Sequence, residues 1–246
     1  MIIEAIKRAL DSQGRDRDPK IISASSLGQC SRKLAFRHHG YAEEPLDWRA
    51  KAIFSDGNHA HDQLREWIRS GLDGTCYTLD REELRVERDK IGGHIDGAIT
   101  HNPECKVEGH KTRLLEIKSM NSYSFSDLEK ESLPDYEYLI QIYFYLYALD
   151  LEECILLAKN KNNSVLYESI ITLDKEELLK RINTLNNVIK KSDNPTSVQR
   201  EFGPDKRGNL DWHCGYCPFW KHCWAAEGVE EWKPHKLRLS KPAKTS

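Results

Sequence analysis

Glu116 and Lys118 stand two apart in Leu-Leu-Glu-Ile-Lys-Ser, so on a strand an acid and a base share one face while Leu115 and Ile117 share the other. Alone, that pair is an ordinary solvent-facing pattern. Asp96 gives it a partner, because it follows Gly92-Gly93-His94-Ile95, where small neighbours leave room around a carboxylate at the end or bend of a strand. Pairing of 91–99 with 112–118 would bring Asp96 beside Glu116. Two adjacent carboxylates repel unless a cation separates them, and magnesium or manganese suits oxygen ligands. Such a cation polarises a phosphate oxygen, lowers the pKa of a bound water and offsets charge growing on a phosphorane. Lys118 would orient that water and add its own positive charge. The chemistry that fits is phosphodiester hydrolysis.

His61 is the further candidate ligand, in Gly57-Asn-His-Ala-His61 at the expected start of a helix, where Gly57 permits close backbone approach. His59 is its rival, on a different helix face. Gln141 and Tyr145 are four apart and share a face of their helix, with the amide able to meet a phosphate and the phenol able to meet a phosphate or a base. A core tyrosine and a capping glutamine would look the same.

A second group is Cys214-x2-Cys217-x5-Cys223 near one end of the chain, to which Cys30 adds a fourth thiol if the ends meet. Four sulfurs suit zinc or an iron–sulfur cluster, and spacing alone leaves both open. The separated 1+3 arrangement beside Pro218 and several aromatics favours 4Fe-4S. His213 and His222 are alternative ligands. Trp212, Tyr216, Phe219, Trp220 and Trp224 would wrap the group in an apolar shell or partly expose a platform for bases. Either metal would tie together segments far apart in sequence.

The elements that must position these residues fit one substantial core with an accessory module in 246 residues. With 39% hydrophobic and 31% charged residues the composition is that of an ordinary globular chain. No apolar run approaches the ~18 residues of a spanning helix, and the first residues lack the core of a signal peptide, so an intracellular, cytoplasmic protein is expected. That setting argues against disulfides, and Cys76, Cys105 and Cys154 read as scattered core or indifferent thiols. Net charge is −2, so nucleic-acid binding would need a local patch; Lys233, Lys236, Arg238, Lys241 and Lys244 supply one, or are a solubilising tail.

Helices are expected over the first residues, through Arg32–Phe36, from Gly57 to about Arg69, and over 174–191. Strands are expected at 83–88, 91–99 and 112–118 as a meander, and again at 153–159 and 165–172. Residues 136–149 fit a buried helix, with a strand as the alternative. From Asp193 onward the composition turns irregular. No phosphate-binding G-x4-GK-[ST] loop is present, so any helicase would be a partner.

Taken in order, these pieces resemble the RecB-like branch of the PD-(D/E)xK nuclease superfamily, specifically the CRISPR-associated and phage-borne iron–sulfur exonucleases. Gly57-x3-His61, Asp96, Glu116-Ile117-Lys118, Gln141-x3-Tyr145 and the four cysteines carry the resemblance over about residues 23–225; the proline usually paired with the aspartate is missing at Asp96. The resemblance implies an α/β fold with a mixed sheet, a restriction-endonuclease-like core and a small iron–sulfur module formed by both chain ends. Residues 1–56 would be an N-terminal helical segment supplying Cys30, 57–192 the nuclease core, and 193–246 the cysteine module and basic tail. It implies Mg2+ or Mn2+ on His61, Asp96, Glu116 and the Ile117 carbonyl, Lys118 in catalysis, and 4Fe-4S on Cys30, Cys214, Cys217 and Cys223. Relatives cut single-stranded DNA from an end, often 5′ to 3′, some also internally, in recombination, repair or CRISPR adaptation, with helicase or CRISPR integration proteins as partners in a prokaryotic or phage-infected cell. The rival expectation is a non-catalytic DNA-binding or scaffolding protein with a structural zinc or iron–sulfur site.

Overall fold

The computed structural model describes residues 2–12, 21–102, 104–105, 111–191, 194–233 and 235–239. The order begins with α1 (Ile2–Asp11), β1 (Ile22–Ser23), α2 (Ser31–His38), α3 (Trp48–Leu72), β2 (Tyr77–Asp80), β3 (Arg85–Arg88), β4 (Ile91–His94) and β5 (Gly97–His101). It continues with β6 (Arg113–Met120), α4 (Ser122–Glu131), α5 (Tyr136–Leu149), β7 (Glu153–Asn160), β8 (Leu166–Thr172) and α6 (Lys175–Lys191). Last come the short helices α7 (Trp212–Gly215) and α8 (Trp220–Cys223) and the strands β9 (Val229–Lys233) and β10 (Lys236–Leu239). Among the described residues no helix is long and apolar enough to cross a membrane. The chain forms two compact units: the first holds α1, Ile21–Gly28 and Asp47–Arg181, the second Gln29–Leu46 and the chain from Ile182 onward.

The first unit is a mixed α/β structure. Its main sheet has the order β2-β5-β6-β7-β8, in which only β6 and β7 run parallel. A parallel pair needs a crossover, and α4 and α5 supply it. Asp47 caps α3 by accepting from the Ala50 amide at 2.8 Å, and Asn121 caps α4 from Tyr123 and Ser124 at 2.9 and 3.0 Å. Alternation along β6 divides the layers. Leu115 and Ile117 pack with Leu64 and Ile68 of α3, while the other face of the strand meets α5. Ile140 through Leu146 are all buried, so α5 is a core helix, as expected for 136–149, with Gln141 its buried polar residue.

Three expectations change here. The helix anticipated from Gly57 begins at Trp48, and a Cβ at Gly57 would meet nothing within 4 Å, so that glycine serves no close approach. The strand anticipated over 91–99 is two strands in two sheets. β4 joins a small sheet of order β1-β4-β3 and β5 joins the main one, leaving Ile95 and Asp96 as the link in place of a simple meander. Cys76 and Cys105 are not scattered: they form a disulfide with Cα atoms 5.8 Å apart. Cys154 is a core thiol, as read from the sequence.

The second unit gathers Leu210, Trp224 and Leu237 into a small core, against which Cys214, Trp220, Cys223, Val229 and Leu239 pack. Phe36 of α2 stacks on Phe219 at 5.7 Å, and both are fully buried. Arg32 is buried as well; it donates to the carbonyls of Val198 (2.6 Å) and Thr196 and lies 3.5 Å from the Cys223 sulfur. The basic segment near the chain end is not all tail, because β9 and β10 form an antiparallel hairpin in which Arg238 pairs with Glu230 at 3.0 Å. Lys241 and Lys244 lie outside the described residues.

Candidate active site

β5 and β6 pair with Gly97 opposite Leu115, and one further step of that antiparallel register sets Asp96 opposite Glu116. Asp96 is buried and fully engaged: Oδ1 lies 2.9 Å from His61 Nδ1, and Oδ2 accepts the Ile117 amide at 2.8 Å. Burial alone would raise its pKa, but the hydrogen bond and charge of His61, the charge of Lys118 and the Ile117 amide hold it below the usual carboxylate value. In an antiparallel ladder the N–H and C=O of one residue leave by the same edge, so the Ile117 carbonyl is directed toward the Asp96 side. His61 thus sits beside Asp96. His59 instead bonds the Ser55 carbonyl of its own helix at 2.8 Å and is exposed.

Glu116 is 1% exposed. Its Oε1 lies 2.6 Å from Lys118 Nζ, whereas Oε2 is buried with no hydrogen-bond partner. Burial pushes its carboxyl up to about 7, the Asp96 charge adds to this, and Lys118 opposes it. For Lys118 burial favours the neutral amine, but the charges of Glu116 and Asp96 outweigh it and raise the pKa, so it stays an ammonium. The same ammonium is 3.3 Å from Gln141 Oε1 and 4.6 Å from the centre of the Tyr138 ring. Tyr138 escaped the sequence reading, although it lies three residues before Gln141 on the same helix face.

Gln141 and Tyr145 come together as their spacing implies and share a hydrogen bond, while burial pushes the Tyr145 phenol well up. Tyr145 is 2% exposed, so its ring offers no stacking face to a base and serves instead to hold Gln141. A Cβ at Gly93 would sit 2.4 Å from the Tyr145 hydroxyl, which explains the glycine. On another side of α5, a Cβ at Gly28 would be 2.4 Å from the Glu137 Cα. Two glycines therefore let neighbouring chain close directly on this helix.

The donors here are carboxylate oxygens, a carbonyl and one imidazole, and a buried carboxylate oxygen has no protein partner. That combination fits a hard divalent cation. In the second unit, Cys30, Cys214, Cys217 and Cys223 lie close enough to act on one another. Burial, then the neighbouring Cys217, Cys223 and Cys30, push the Cys214 thiol up to about 12, and Cys217 is raised by burial in the same company. Four such thiols fit a thiolate-ligated metal or cluster. Of the aromatics nearby, Phe219 and Trp224 are buried as a shell, whereas Trp212 and Tyr216 are 62% and 61% exposed. A tighter group lies in the first unit, where one donor atom each of Cys76, His101 and Cys105 falls within 4.8 Å of the other two. Two of these sulfurs are joined as the disulfide, with the histidine beside them, and neither the carboxylate centre nor the four cysteines of the second unit form a three-donor group of that size among the described residues.

No family model matches the chain, and no curated protein matches it significantly. Solved structures do. SSO0001 overlaps 91% of this chain and 96% of its own at 18% identity and a TM-score of 0.47. The alkaline exonuclease LHK-Exo from Laribacter hongkongensis overlaps 76% and 93% at 14% identity and 0.47. A phage related exonuclease from Haemophilus somnus 129PT overlaps 70% and 92% at 16% identity and 0.46. All three are between 14% and 18% identical to this chain, with TM-scores of 0.46–0.47.

Proposed function

We propose that this chain is a divalent-metal-dependent deoxyribonuclease that hydrolyses the phosphodiester bonds of single-stranded DNA from an end. One observation carries the reading: Glu116 keeps Oε2 buried and unpartnered while its other oxygen holds Lys118, with Asp96 opposite on the neighbouring strand segment. A buried unpaired carboxylate oxygen costs about 1–3 kcal/mol or more, and a ligand for it removes that cost.

His61, Asp96, Glu116 and the Ile117 carbonyl would hold Mg2+ or Mn2+. When bound, that cation supplies Lewis-acid charge to the phosphate and lowers the pKa of the attacking water. The chain does the rest. Asp96 and His61 hold each other, Oδ1 to Nδ1 at 2.9 Å, and would give up that contact to hold the cation together. The Lys118 ammonium, kept charged by Glu116 and aimed by Gln141, stabilises negative charge on the phosphorane. Tyr145 holds Gln141. Cys30, Cys214, Cys217 and Cys223 would hold a 4Fe-4S cluster whose part is structural, joining Gln29–Leu46 to the chain after Ile182 within the second unit. The resemblance to the iron–sulfur exonucleases implies 5′ to 3′ polarity, some internal cutting, and work beside a helicase or CRISPR integration proteins, and the reading takes these over from it.

The test is anaerobic protein on single-stranded DNA labelled at the 5′ or 3′ end, with Mg2+ or Mn2+ and Glu116→Gln as control. Metal-dependent shortening by wild type alone is expected, the two labels giving polarity. Equal activity in the control would end the assignment, and rapid cutting of closed single-stranded circles would overturn the preference for ends.

A further inference from the structure

We propose that Cys76, His101 and Cys105 form a separate zinc site, open when the two cysteines are thiols and closed when they join as a disulfide. It is independent of the carboxylate centre. Asp96 immediately precedes β5 and His101 ends it, about 16 Å apart at the usual strand rise.

The fold builds the triad from local rules. β2 and β5 pair with Tyr77 opposite His101, which puts Cys76 at the end of β2 beside that histidine. The Asn102 amide donates to the Cys76 carbonyl at 2.8 Å and prolongs the ladder by one residue. The chain then turns, with the Cys105 amide on the Asn102 carbonyl at 3.0 Å and the Glu104 amide on Asn102 Oδ1 at 3.0 Å, and returns the second sulfur to the first. All three side chains are half-buried, and their donor atoms are within 4.8 Å of one another. Tetrahedral zinc with bonds of about 2.0–2.3 Å holds its ligand atoms about 3.3–3.8 Å apart, so once the disulfide is broken the two sulfurs must part by roughly 1.5 Å while the histidine nitrogen, already within 4.8 Å of both, closes on them. Thiolate and imidazole ligands select zinc over magnesium or calcium, and partial exposure leaves a fourth position for water.

The conversion balances with a small thiol as reductant. Two equivalents of thiol break the Cys76–Cys105 bond by exchange and leave as their own disulfide, so the cysteines are reduced and the thiols oxidised. Zinc then displaces one proton from each cysteine. A small disulfide reverses the sequence, re-forming Cys76–Cys105, releasing zinc and leaving two thiols.

The full chain is reduced, freed of reductant, equilibrated with Zn2+ and its bound zinc counted, for wild type, Cys105→Ser and His101→Ala. Zinc on the other cysteines is common to all three. Reduced wild type should carry about one zinc more than either variant. Wild type whose Cys76–Cys105 bond is re-formed, verified by peptide mapping, should lose that zinc. Equal zinc in all three reduced proteins would overturn the site, full retention in His101→Ala would remove the histidine from it, and extra zinc surviving the disulfide would overturn the redox link. Comparing reduced and re-oxidised wild type needs no variant to fold.

Discussion

Lys118 Nζ lies 2.6 Å from Glu116 Oε1, and both side chains are withdrawn from water. Removing one partner of such a pair strands the other's charge. Lys118→Met should destabilise the protein by about 3–5 kcal/mol, and Glu116→Gln combined with it should recover much of that loss. Chemical denaturation of the two single variants and the double variant measures the coupling; additive losses would show that the pair does not act as a unit. On DNA, Lys118→Met should slow cleavage about 100- to 1,000-fold if the ammonium stabilises the transition state.

Glu116 sets a pH dependence. In the metal-free protein its carboxyl is lifted from 4.5 to about 7, so between those values the folded chain keeps a proton that the unfolded chain has released. Its contribution to stability is therefore full below 4.5 and is lost as pH rises to about 7. Asp96 works the opposite way and lower down, losing its contribution as pH falls below its ordinary 3.8. Melting curves from pH 4.5 to 7.5 should fall with rising pH in wild type and flatten in Glu116→Gln. Mn2+ binding should release close to one proton per chain at about pH 6 and few at about pH 8, read by calorimetry in buffers of different ionisation enthalpy.

Gly93 and Tyr145 should be coupled by sterics. Gly93→Ala places a methyl 2.4 Å from the phenol oxygen and should cost about 1–3 kcal/mol. Tyr145→Phe removes the obstructing atom, so Gly93→Ala should be milder in that background. Urea unfolding of the double-mutant cycle decides it; an identical cost in both backgrounds would show that the hydroxyl is not the obstacle.

Arg32→Met should loosen the second unit. It abandons the Val198 and Thr196 carbonyls and the contact at the Cys223 sulfur. A cost of about 2–4 kcal/mol is expected, with faster amide exchange concentrated over residues 194–201. Unchanged exchange there would show that other contacts hold the segment.

Much of the centre was legible because it obeys short periods. Glu116 and Lys118 face one way by strand alternation, and Gln141 and Tyr145 share a face by helical spacing. The break at Ile95–Asp96 was not legible, since 91–99 reads as one run and only the Tyr145 hydroxyl shows why Gly93 is a glycine. Cys76 and Cys105 looked unrelated because their meeting depends on the Tyr77–His101 register, which no local pattern carries, and β2 itself had gone unrecognised. α4 was missed for a like reason: Phe125 and Leu128 are its buried anchors, too few for a visible stripe. Tyr138 could have been found by extending the Gln141 face one turn back.

The second unit also sets an order of events during synthesis. Gln29–Leu46 leave the ribosome early, but their partners begin at Ile182, and at about 5–20 residues per second the interval is about 7–27 s. Through that interval Leu34 and Phe36, buried in the finished protein, have nothing to pack on, and Cys30 waits alone. The first unit is complete in sequence at Arg181. A cluster held by the four cysteines, as proposed, would therefore load only after Cys223 has emerged.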